Sequence, residues 1–317
     1  MRFYDIFNGD ADGLCALQQL RLAGPREAAL VTGTKRDIAL LDRVEAGPGD
    51  QLTVLDVSMH ANAAGLRRAL SAGAGVQWFD HHQAGTVPDD AGLDAHLDFA
   101  PGICTSLIVD RYLAGRFRAW AVVGAYGDNL PDSARSAAQL LGLSHDAAQK
   151  LKRLGECLNY NAYGTSVAEL LFHPEDLHRR MLPYEDPLAF ADRDTAFPAL
   201  DRARTEDLLR ALTIVPVLDT PSVAAVMLPD APWSRRVSGT LANRLNIDHP
   251  GRAHAVFVPE NGRYTVSLRA PRAQPVGADR IASSFSGGGG RAAAAGINGL
   301  PESDVPRVLD ALKAAYP

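Results

Sequence analysis

The sequence predicts an α/β protein: a parallel-sheet domain with helices on both faces, followed by a smaller α/β domain with a mixed sheet. Three observations predict it. Short apolar runs alternate with helix-period segments through the first half. The pattern changes near residue 220 to β-rich runs around an Asn-Gly turn. The chain's 317 residues, 46% hydrophobic and 22% charged, suit about two globular domains.

Taken in order, "RFYDIF" (2–7) reads as a strand and "GLCALQQLRLAG" (13–24) as a helix with a glycine stop. "AALVTG" (28–33) and "RDIALLDRVEAG" (36–47) repeat the pair, as do "QLTVLDVS" (51–58) and "ANAAGLRRALSAG" (61–73). "GVQWFDHH" (75–82) is the next strand. "TSLIVDRYLAG" (105–115) reads as a helix, and "AWAVVGAYGDNL" (119–130) as a buried strand or helix running into a polar turn. Residues 131 to 210 are mostly helical in pattern. Further on, "SVAAVMLP" (222–229) is a strand, "SRRVSGTLANRLN" (234–246) a helix, and "AHAVFVPENGRYTVSLRA" (253–270) a hairpin, because Asn-Gly tolerates the positive φ of tight turns. "ADRIASSF" (278–285), a glycine run and "VPRVLDALKAAY" (305–316) follow. The expected division is a domain over 1–190, a connector over 191–204 and a domain over 205–317.

Cys15, Cys104 and Cys157 form no CxxC pair and no disulfide framework, which fits a reducing compartment. The N-terminus lacks a basic segment followed by an apolar core, and no apolar run reaches the roughly 18 residues of a membrane span. These readings predict a cytoplasmic protein without a membrane partner. The net charge of −5 argues against a surface that coats nucleic acid. It is unevenly spread. Residues 221–317 carry 11 Lys+Arg against 7 Asp+Glu, a net of +4, which leaves −9 for residues 1–220. Such a split suits a metal site paired with a phosphate-binding surface, although chance also produces it.

Several predicted strands end in acid. Asp10 and Asp12 follow the first, Asp56 the third, and Asp80, His81 and His82 the fourth; Asp128 follows the apolar run 119–127. Ligands of open α/β sheets bind at the carboxyl ends of the strands, so these groups would converge. Converging carboxylates need a compensating charge, and mixed Asp and His donors suit Mn²⁺ or a similar divalent ion. Each residue also has an ordinary structural use: Asp10 or Asp12 as a helix N-cap, Asp56 as a turn residue.

Together these motifs resemble the DHH phosphoesterase superfamily, which includes RecJ-type exonucleases, nano-RNases and cyclic-dinucleotide phosphodiesterases. "DADG", "LDVS", "DHH" and "YGDN" are similar to its first four motifs. The resemblance implies that Asp10, Asp12, Asp56, His81 and Asp128 are metal ligands, with Asp56 bridging. Asp80 would orient His81, and His82 would contact phosphate and protonate the leaving oxygen. Two Mn²⁺ per chain are implied, with Mg²⁺ or Co²⁺ as alternatives. The family's first motif begins with His or Asp, where this chain has Asn8 or Ile6; Asn8 is a weaker, neutral candidate ligand.

The glycine run "SFSGGGGRAAAAGI" (284–297) reads either as a low-complexity loop or as a phosphate-binding loop leading into an alanine-rich helix. It resembles the glycine motif of the DHHA1 domain, through Gly288, Gly289, Gly290, Ala294, Ala295 and Gly296, with Arg291 in place of the family's histidine. Arg269 in "VSLRA" matches an arginine that grips substrate phosphate in that family; alone it reads as a surface arginine of an edge strand, but the glycine motif about 20 residues on favours the phosphate-binding role. The expected function is Mn²⁺-dependent hydrolysis of short oligonucleotides or nucleotide-like phosphodiesters by a monomer or homodimer. The alternatives are a hydrolase of cyclic dinucleotides or other small phosphoesters, and a weakened nucleotide-binding protein.

Overall fold

The computed structural model describes residues 1–317, which divide into two compact units, Met1–Arg202 and Ala203–Pro317. No helix is long and apolar enough to cross a membrane, and all three cysteines are buried outside any disulfide.

The first unit is built on β1 (Phe3–Phe7), α1 (Ala11–Ala23), β2 (Ala29–Val31), β3 (Gln51–Leu55), α2 (Ala63–Ser71), β4 (Gly75–Asp80) and β5 (Leu93–Leu97). Its sheet runs β2-β1-β3-β4-β5, all parallel. The period-2 alternation of a strand sends neighbouring residues to opposite faces. Phe7, Leu55 and Phe79 enter one core with α1, whereas Ile6, Val54 and Trp78 enter another with Leu66 and Ala69 of α2. Burial on both faces explains why these strands read as continuous apolar runs.

Helices α3 (Thr105–Tyr112), α4 (Arg118–Gly127), α5 (Pro131–Leu140), α6 (His145–Asn161), α7 (Pro174–Met181), α8 (Pro187–Arg193) and α9 (Ala196–Leu212) follow. The run 119–130 is thus helical, and Asp128 stands at the C-terminal cap of α4.

The helix expected over 36–47 is not formed; only a 3₁₀ turn, Leu40–Arg43, lies there. Asn62 explains this. Its amide donates to Ile38 O at 2.6 Å and accepts from Leu41 N at 3.0 Å, taking backbone groups that a helix would use.

The second unit contains β6 (Leu218–Asp219), β7 (Val223–Met227), α10 (Pro232–Asp248), β8 (Ala253–Glu260), β9 (Arg263–Arg269), α11 (Ala278–Ser283), β10 (Gly288–Arg291), β11 (Ala294–Leu300) and α12 (Val305–Ala315). Its mixed sheet runs β10-β11-β9-β8-β7-β6, with β7–β8 parallel and the other pairs antiparallel. The β8–β9 turn carries positive φ at Asn261 (51°) and Gly262 (73°), the geometry Asn-Gly favours.

The glycine run corrects the sequence reading. Gly288–Arg291 is an edge strand and Ala294–Leu300 its antiparallel partner, so no helix follows the glycines. Burial of Ala295, Ile297 and Leu300 in the sheet core outweighs alanine's helix propensity. Gly288 is needed for close packing: a Cβ there would lie 1.8 Å from Ala282 O of α11.

Candidate metal centre

The first unit brings its strand-end residues together. The Asp10 side chain caps α1, accepting from Asp12 N at 3.0 Å and Gly13 N at 3.1 Å. Asp12 lies in the first turn of α1, and its oxygens accept from Thr105 N at 2.7 Å and Ser106 N at 2.8 Å. Those are the first two amides of α3, to which the capping residue Cys104 offers no side-chain bond. Asp12 therefore fastens α3 to α1 while adding its charge to the centre.

Asp56 follows β3 at a φ of 58°, in the left-handed region that aspartate tolerates better than most side chains. Its backbone N donates to Phe79 O at 3.0 Å, and its Oδ1 accepts from Thr105 Oγ1 at 3.0 Å. His81 Nε2 approaches that same oxygen to 3.5 Å and Asp128 Oδ2 to 3.9 Å. Donor atoms of Asp56, His81 and His82 lie within 4.8 Å of one another.

Asp80 is fully buried and holds His82, not His81: its Oδ1 lies 2.7 Å from His82 Nδ1, and its Oδ2 is buried without a hydrogen-bond partner. The expectation that Asp80 orients His81 is corrected on this point. The pairing leaves Nε2 as the ring nitrogen of His82 free of that bond.

The electrostatics follow from crowding. Burial pushes the Asp56 carboxyl well above the usual range, and the charges of Asp12, Asp10, Asp128 and Asp80 push it further. Burial likewise raises Asp128, to about 6, against the opposing charge of Lys35. Burial works against the charge of Asp10, yet Lys35 holds this carboxyl below its ordinary value. At His82 burial favours the neutral ring, but the bond to Asp80 prevails and raises its pKa. The donor set fits a divalent cation: carboxylate oxygens and imidazole nitrogens converge, and Asp80 Oδ2 remains a buried acceptor behind them.

Lys35 was not anticipated. Its ammonium pairs with Asp10 Oδ2 and lies 3.1 Å from Asn159 Oδ1 and 3.7 Å from Asp128 Oδ1. Lys35 follows β2 at the same carboxyl edge as the acids, a position that narrows the search without pairing it to Asp10. Asn8 is placed differently from its expected role. Its amide donates to Lys35 O at 3.2 Å and accepts from Asp10 N at 3.2 Å, so both ends serve the backbone.

In the second unit, Arg269 ends β9, with its Nε donating to Asn243 Oδ1 and its Nη1 to Leu268 O, both at 2.8 Å. Gly289, Gly290 and Arg291 are exposed on the edge strand β10.

Residues 220–316 match the DHHA1 domain family. Solved structures extend the likeness to the whole chain. A structure of exonuclease RecJ bound to manganese superposes with a TM-score of 0.62 at 17% identity, covering 99% of this chain and 89% of that one. The pGpG-specific phosphodiesterase PggH from Vibrio cholerae gives 0.57 at 13% identity, over 99% of this chain and 98% of that one. RecJ from Thermus thermophilus in complex with Mn²⁺ gives 0.57 at 18%, over 99% of this chain and 52% of that one. No curated protein sequence matches the chain. The second unit thus matches the DHHA1 domain family, and the chain as a whole shares the fold of the RecJ and PggH structures.

Proposed function

We propose that this DHH-fold chain is a divalent-cation-dependent phosphodiesterase acting on short oligonucleotides or nucleotide-like phosphodiesters. The observation that carries the reading is the convergence of Asp56, His81 and His82, donor atoms within 4.8 Å, at the carboxyl edge of a parallel sheet. The fold shared with an exonuclease and a phosphodiesterase supports it. The net charge of −9 over residues 1–220 supports the restriction to short substrates, because each further phosphate adds repulsion.

Asp56 and His81, with Asp128 and Asp12 beside them, would hold the cation, Mn²⁺ by preference. When bound, it supplies Lewis-acid polarisation of the phosphate and a nucleophilic oxygen near neutral pH. The remaining roles fall to side chains. Asp80 fixes the His82 ring through Nδ1 and stabilises its protonated form. His82 then donates the Nε2 proton to the leaving oxygen as the P–O bond breaks. Thr105 holds Asp56 by its hydroxyl, so the carboxylate faces the centre in one orientation. Arg269 and the edge strand Gly288–Arg291 are the proposed phosphate-binding elements of the second unit; arginine supplies a fixed charge, and the glycines let a backbone edge approach an anion.

The test is hydrolysis of a 5′-phosphorylated dinucleotide with Mn²⁺ and with chelator, beside Asp56→Asn. The reading expects Mn²⁺-dependent release of mononucleotides that the variant abolishes. No turnover of this substrate or of a cyclic dinucleotide, by folded protein that has bound Mn²⁺, would refute it in favour of a binding protein.

A further inference from the structure

The resemblance in sequence implies two cations per chain. One half of the centre, however, already contains one. We infer that the Lys35 ammonium serves as a built-in second cation at Asp10, so that the chain loads a single divalent ion, on the Asp56–His81 side. The inference rests on the metal-dependent reading above and assigns Lys35 a role in positioning and charge balance.

Three features of the chain converge on this placement. First, the ammonium has three hydrogens, and three oxygens surround it: Asp10 Oδ2, Asn159 Oδ1 at 3.1 Å and Asp128 Oδ1 at 3.7 Å. The Tyr163 ring adds a cation–π contact, its centroid 5.9 Å from Nζ. Second, the Lys35 backbone is pinned on both sides, its N donating to Ala162 O at 2.8 Å and its O accepting from the Asn8 amide at 3.2 Å. Asn8 stands where the related motif has its metal-binding residue, and here it secures the lysine loop. Third, Gly9 permits the approach: a Cβ there would lie 2.0 Å from Gly33 O, two residues before Lys35. The loop after β2 thus packs directly on the loop after β1, with Lys35 delivered to Asp10 at a side-chain exposure of 25%.

The alternative role, a lysine reaching for substrate phosphate, fits less well, because its donors face protein oxygens. A divalent ion at Asp10 would have to displace the ammonium from a carboxylate that is itself almost fully buried. Mn²⁺ on the other side faces no competing cation: the side chains that approach Asp56 are the Thr105 hydroxyl, the His81 ring and the Asp10 carboxyl.

The experiment counts Mn²⁺ in the full chain, by elemental analysis of dialysed protein and by electron paramagnetic resonance, for wild type and for Lys35→Ala. The expected result is one Mn²⁺ with an uncoupled hyperfine pattern in wild type, and two with an exchange-coupled pattern in Lys35→Ala, where Asp10, Asn159 and the Lys35-facing Oδ1 of Asp128 become available as oxygen donors. Lys35→Gln gives the same count if Lys35→Ala does not fold. Two coupled Mn²⁺ in wild type would overturn the inference and leave the metal-dependent reading intact. No Mn²⁺ in wild type would overturn both. One Mn²⁺ in wild type and still one in the folded variants would show that Lys35 is not what holds the second place.

Discussion

The Asp10 side and the Asp56 side of the centre use the same chemical material, buried aspartate at the carboxyl end of a parallel strand, to opposite effect. Asp10 is answered from within the chain by Lys35, and its carboxyl is held below its ordinary value even though burial opposes the charge. Asp56 is answered by a hydroxyl at 3.0 Å and an imidazole nitrogen at 3.5 Å, and burial together with its acidic neighbours holds its carboxyl well above its ordinary value. A buried carboxylate is costly unless paired. The pairing partner, more than the motif, decides whether an aspartate is part of the scaffold or part of a binding site.

The largest expected effect comes from exchanging the two acids. Asp56→Asn is expected to abolish Mn²⁺ binding and hydrolysis together, whereas Asp10→Asn is expected to retain Mn²⁺; a metal titration of both variants decides, and equal loss in the two would erase the distinction between the sides. Next, His82→Ala is expected to lower kcat by about 10²–10⁴-fold, the usual contribution of a positioned proton donor, while Mn²⁺ stays bound. Asp80→Asn removes the carboxylate partner of His82 Nδ1 and is expected to cost about 10–100-fold, in kcat more than in KM.

The same contrast between answered and unanswered groups reaches stability. His178 on α7 is buried beside Phe7 with no partner for Nδ1, and burial lowers its pKa to about 4 from an ordinary 6.5. The unfolded chain takes up this proton first as pH falls, so stability is lost from pH 6.5 down to about 4, by about 3 kcal/mol at most. Denaturation midpoints across that range should fall in wild type and flatten in His178→Leu. The smallest effect separates two glycines of β10. Gly288→Ala meets Ala282 O and is expected to cost about 1–3 kcal/mol, whereas Gly289→Ala meets nothing within 4 Å and should stay within about 0.5 kcal/mol.

The parallel sheet was legible because its strands are buried on both faces and its helices are periodic. The carboxylates were legible because strand ends in such sheets share one edge. Lys35 was not, for a physical reason: its role depends on two loops touching, the loop after β1 through Gly9 and the loop after β2 through Gly33, and no periodicity encodes a loop–loop approach. Asn8 misled for the same reason, since its amide is committed to the Lys35 backbone 27 residues away. The Asp80–His82 pair was mistaken for Asp80–His81 because adjacent histidines give no hint of which ring turns back. The alanines after the glycine run carry a helical propensity that strand pairing with β9 overrides, Ala294 and Ala295 lying opposite Arg269 and Leu268.

The most direct test of this account is anomalous diffraction from crystals of the full chain soaked in Mn²⁺. One anomalous peak is expected within bonding distance of Asp56 and His81, with the Lys35 ammonium still paired to Asp10. A second peak at Asp10 with Lys35 expelled, or no peak beside Asp56, would contradict it.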